Sequence, residues 1–143
     1  MIENVVEITM RVGLWNGIDA AMDNKANNAR WEYWNGGGEM GDPADPDVGP
    51  VSRCAAAIRA EGRRQIDNAW LRPADEQITV SLTRQRWEFI LADAHDSLPV
   101  YQELARSASG GSRSDMHDSA DLCRETILVV GRALADGVSV DPL

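Results

Sequence analysis

Apolar and polar residues alternate strictly around Val6, Ile8 and Met10, and again around Ile78, Val80 and Leu82. A period of two predicts two short strands, each with one dry and one wet face. After the second, Trp87, Ile90, Leu91, Ala94 and Leu98 recur at three- and four-residue intervals, the stripe of an amphipathic helix. Thr83 suits its N-cap, and Leu82 and Trp87 stand where a hydrophobic staple places them. Pro99 predicts a break near Ser97. Trp15 follows Met10 at the spacing that separates Trp87 from Leu82.

The same order of parts is written twice. "VEITMRVGLWNGIDA" from Val6 aligns without gaps on "ITVSLTRQRWEFILA" from Ile78, an offset of 72 that sets Trp15 on Trp87 and Ile18 on Ile90. At a shift of 69, Cys54, Ile58, Gly62, Arg63 and Asp67 fall on Cys123, Ile127, Gly131, Arg132 and Asp136. Each copy has a loop-forming stretch between its blocks, "NGGGEMGDPADPDVGP" in one and "SASGGSRSD" in the other. The expected fold is α+β and mainly helical: a β-α-α unit used twice about a pseudo-twofold axis, with a small two-stranded sheet beside about four principal helices. Residues 1–143 are expected to form a single compact domain, with repeat one at 1–72 and repeat two at 73–143. Cys54, Ile58 and Gly62 make a small-large-small ridge, as do Cys123, Ile127 and Gly131, and the two ridges are expected to face each other near the axis.

Composition narrows the functional classes. Hydrophobic residues make up 43% and charged ones 26% of the 143 residues, which is ordinary globular usage and argues against wholesale disorder. There is no apolar run of membrane-spanning length, and "MIENVVEITM" lacks a basic start, so no leader and a cytoplasmic location, in a bacterial or infected host cell, are expected. Two cysteines outside any CxxC pair predict packed thiols, not a disulfide framework. The net charge of −9 comes from 23 acids against 14 bases, and a chain without a basic stripe is a poor direct ligand for nucleic acid. Only Lys25 among the bases is a lysine, which reads as the codon bias of a GC-rich bacterial or phage genome.

Few residues invite chemistry. "DAHD" at Asp93–Asp96 and "DMHD" at Asp115–Asp118 suggest a divalent metal and a hydrolase using His95 and His117. Two histidines in all are too few for the HD-type pattern, so these segments read as solvated acidic turns, with no metal and no cofactor expected. Cys54 and Cys123 lie on ridges of small and apolar residues where thiols pack, which removes a cysteine nucleophile. "WNGGGEMG" has the glycines of a phosphate loop without its lysine. Arg63 and Arg132, matched in the repeat, are candidate paired anion ligands at its seam. Arg59, Arg63 and Arg64 are otherwise expected to pair with Glu61 and Asp67.

The aromatic segment "RWEYWNGGG" supplies the leading candidates. Trp31 and Trp34 align with Glu103 and Arg106, positions that face water, so Trp31, Tyr33 and Trp34 are expected to anchor an interface. Asp115, Asp118 and Asp121 form a second, acidic candidate. Small size, acidity and the lack of a catalytic set resemble, in a general way, accessory proteins of phages and mobile elements. The expectation is a non-enzymatic protein-binding factor, an inhibitor of the anti-defence or immunity type. It would mask another protein with a basic surface, one that itself binds nucleic acid included, and act as a monomer or homodimer. A small-molecule or nucleotide binder at the repeat seam is the alternative, and a metal-dependent hydrolase the second.

Overall fold

The alternating segments form β1 (Val5–Arg11) and β2 (Gln77–Thr83), which pair antiparallel with Ile8 opposite Val80. The computed structural model describes the backbone of residues 4–36, 49–107 and 110–139, and the side chains of 4–27, 49–107, 110–111 and 113–135. Ile8, Met10, Ile78, Val80 and Leu82 are buried on one face of the sheet, while Thr9 and Thr79 join their hydroxyls at 2.8 Å on the other. A two-stranded ribbon is marginal alone in water, so this one depends on the helices that cover its dry face.

Among the described residues the α-helices and strands run in the order β1, α1 (Val12–Gly36), α2 (Pro50–Gln65), β2, α3 (Arg84–Ser107) and α4 (Gly111–Ser139). The fold is thus α+β and mainly helical, as the periodicities predict. The orphan N–H groups at the starts of α1 and α3 find partners in backbone from the other half. Val12 N donates to Glu76 O at 2.7 Å, and Arg84 N donates to Asn4 O at the same distance. Gly13 N adds a bond to Ala74 O, and Thr83 caps α3 by accepting from Arg86 N. The pairs Val12–Glu76 and Asn4–Arg84 stand 72 residues apart in correspondence, as do the facing residues Ile8 and Val80.

The helices form two hairpins, α2 against α1 and α4 against α3, and the hairpins share one core. Trp15 and Trp87 meet edge to face between them, with ring centroids 6.4 Å apart, and Trp87 Nε1 donates to Val6 O at 2.8 Å. Gly62 is buried against Trp15, where a Cβ would overlap the indole. Each small-residue ridge therefore faces its own hairpin partner, which corrects the expectation that the two ridges meet. The reason is size: a bulky indole from α1 fills the space that Gly62 opens. Gly131 sits less tightly, with Leu91 Cδ1 3.8 Å from where its Cβ would stand.

Two further expectations fail. The helix does not break near Ser97, because α3 carries Pro99 within an unbroken run to Ser107. Pro99 is exposed, so its ring and its missing N–H fall away from the face packed on α4. The stretch "SASGGSRSD" is a loop only in part. Gly110 turns the chain at φ 64°, a left-handed conformation that suits glycine, and Gly111 already begins α4. Its counterpart in the first half lies mostly outside the described residues.

The outer edge of β2 is closed by one side chain. Gln65 Nε2 donates to Ser81 O at 2.6 Å, and Gln65 Oε1 accepts from Ser81 N at 2.7 Å. An amide presented in this way copies one rung of a β-ladder and stops further strands from adding there. On the other side Arg11 makes a two-pronged bond to Glu125 of α4, at 2.8 and 2.7 Å.

Candidate functional site

Between α2 and β2 the sequence "DNAWLRP" forms a single 3₁₀ turn at Ala69–Leu71. Asn68 enters it at φ 54° and ψ 41°, a left-handed conformation that asparagine tolerates better than most residues. Leu71 N donates to Asn68 O at 2.9 Å and Arg72 N to Ala69 O at 3.2 Å. The turn is then braced from outside. Asn16 of α1 donates to Ala69 O, and Arg72 spans from Asp67 O to the Glu76 carboxylate at 3.1 and 2.7 Å. Ala69 is packed against the core. Trp70 and Leu71, in contrast, are 75% and 65% exposed.

Trp70 forms one wall of an open cleft of about 490 Å³ whose floor includes Trp15, Asn16, Asp67, Arg59 and Arg63. Arg59 is committed: it bonds Asp19 at 3.1 Å and Asp23 at 3.0 Å on α1, and the bond to Asp19 raises its pKa further. Arg63 is exposed and has no ion-pair partner among the described residues. The expected local pairing holds only for Arg64, which binds Glu61 and, with Gln65, holds that carboxyl below its usual range. The cleft thus sets an exposed indole beside a free guanidinium on a stiffened frame.

The sequence-predicted candidates are scattered. The side chains of Trp31, Tyr33 and Trp34 lie outside the described residues. Asp115, Asp118 and Asp121 are exposed on α4, where Asp121 pairs with Arg124 at 2.6 Å. Arg63 and Arg132 are not brought together: Arg63 lines the Trp70 cleft, while Arg132 lines a groove with Glu7, Thr9 and Leu128. His95 and His117 are both exposed, and no group of three or more metal-binding side chains exists among the described residues. Cys54 and Cys123 are free and half-buried, and burial raises both thiol pKa values.

The acidic tetrapeptides depart from expectation. "DAHD" lies in α3 and "DMHD" in α4, so both are helical and not turns, and Asp93 is mostly buried while His95, Asp96, Asp115, His117 and Asp118 are exposed. The helical period turns Asp93 inward with Ile90 and Ala94. Trp70 and Leu71 were also missed by sequence reasoning. The available signal was an apolar pair isolated between Asn68 and Pro73, outside every amphipathic stripe. Among the described residues no helix is long and apolar enough to cross a membrane. Comparison of the chain with protein families, with characterised proteins and with solved structures finds no match.

Proposed function

We propose that this chain is a non-enzymatic protein-binding factor that engages its partner through Trp70, Leu71 and Arg63. The observation that carries the reading is the exposure of Trp70 and Leu71 on a turn held by backbone bonds and by Asn16 and Arg72. Tryptophan and arginine dominate the energetics of protein interfaces, and a preordered turn loses little freedom on docking. A net charge of −9 favours approach to a partner whose surface around the docking pocket is basic. Masking such a surface is the action of an inhibitor or immunity-type factor.

The test is comparative capture from the native host. Wild-type chain and a Trp70→Ala, Leu71→Ala variant are used as baits, and any protein held by the first is purified and titrated against both. The reading requires a protein lost with the variant. A partner that binds both baits equally would move the interface elsewhere and overturn this assignment.

A further inference from the structure

A second concavity lies on the inner side of α1, where α3 and α4 come together, away from the turn that carries Trp70. Its volume is about 140 Å³, and Ile18, Met22, Ile90 and Leu122 give it a largely apolar wall. Apolar cavities of about 150 Å³ hold a benzene ring. Polar side chains also line it: Asn24, Ser119 and Thr126, and three that titrate, Asp93, Tyr101 and Cys123.

Their arrangement gives the site a sign. Asp93 retains only 12% of its side-chain exposure, and Lys25 Nζ approaches no nearer than 3.4 Å. A charge-assisted N–H···O bond closes at about 2.7–2.9 Å, so Lys25 is a weak partner for this carboxylate, to which Ser97 adds a hydrogen bond. Burial raises the Tyr101 and Cys123 pKa values, and the negative charge of Asp93 pushes both further up. Phenol and thiol therefore stay neutral, and Asp93 is the one carboxyl group among the residues that line the cavity. Such a pocket repels anions and rewards a cation able to donate several hydrogen bonds. Lys25 is a third exposed on a flexible stem, so its ammonium can move to water and yield its place.

We propose that this cavity is a binding site for a small organic cation: a primary amine with a compact apolar body of up to about seven carbons, its ammonium on Asp93 and its body among Ile18, Ile90 and Leu122. The volume sets the upper size, and the buried carboxylate sets the charge.

The test uses the full-length chain, with benzylamine as probe and benzyl alcohol and benzoate as neutral and anionic controls of similar shape. Binding is followed by methyl chemical shifts of Ile18, Ile90 and Leu122. Benzylamine should bind at least tenfold more tightly than benzyl alcohol, and benzoate should not bind. Asp93→Asn, with its fold checked by circular dichroism, should erase the preference for the amine. Lys25→Met alters an exposed chain that competes for Asp93 and should tighten amine binding severalfold. The proposal is overturned if no probe binds at concentrations up to about 10 mM, above the millimolar range reached by weak small ligands. It is also overturned if the alcohol matches the amine, which would mark a plain packing void, or if Lys25→Met leaves amine affinity unchanged.

Discussion

Gly62 on α2 lies so close to the indole of Trp15 on α1 that a Cβ at position 62 would overlap the ring at Cζ2. Neither partner has room to give way, since Trp15 is itself wedged against Trp87. Gly62→Ala should therefore destabilise the fold by about 1–3 kcal/mol through overpacking. Gly131→Ala meets only ordinary contact with Leu91 and should gain up to about 1 kcal/mol from helix propensity. Urea denaturation of the two variants separates the outcomes by sign.

Gln65→Ala should open the edge of β2. Both bonds to Ser81 would be lost, and a half-buried N–H and C=O would be left to water or to nothing. The expected loss is about 1–3 kcal/mol, with faster amide exchange at Ser81 than at its neighbours. Exchange at Ser81 unchanged from wild type would show that the amide does not seal the edge.

Ser52 is 1% exposed on α2, and its hydroxyl has no hydrogen-bond partner among the described residues. Ser52→Ala removes a desolvated polar group and improves helix propensity, so it should raise stability by about 1 kcal/mol. A lower melting temperature for this variant would count against the site being dry.

Asp93 gives the fold a pH signature. Burial raises its pKa, with Lys25 opposing and Asp96 adding to the rise. The folded state then holds this proton more tightly than the unfolded chain does. That contribution is complete below the ordinary aspartate pKa and is lost as pH rises through the raised folded value. Asp93→Asn has no proton to lose. Its melting temperature should exceed that of wild type most at neutral pH, and the gap should shrink as the medium is acidified through the carboxylate range. A gap independent of pH would contradict the burial argument.

Trp70→Ala with Leu71→Ala should leave stability within about 0.5 kcal/mol of wild type, because both side chains project into water. Affinity for the captured partner should fall by about 2 kcal/mol or more, with little dependence on salt if the indole is the anchor. Denaturation and a binding titration on the same protein read both quantities.

Much of the fold was legible because it is written locally. The alternation at Val6–Met10 and Ile78–Leu82 marks two strands, Thr83 marks the start of α3, and Leu82 and Trp87 mark the face that turns inward. Pro99 misled for a physical reason: the rule against proline within helices concerns its own ring and N–H, and packing along α4 carries α3 past it.

Periodicity and turn chemistry, interactions among neighbours within a few residues, are what the sequence determined by itself: the two strands with their inward faces and the mainly helical remainder. Only tertiary structure decided which ridge met which helix, because the Trp15 indole had to be brought over Gly62 from 47 positions away, the difference of their two numbers. It also decided that Trp70 faces water and Asp93 faces a cavity. Exposure is not a property of a residue type: a Trp–Leu pair reads as core and an aspartate as surface until helices distant in sequence close over one and leave the other bare.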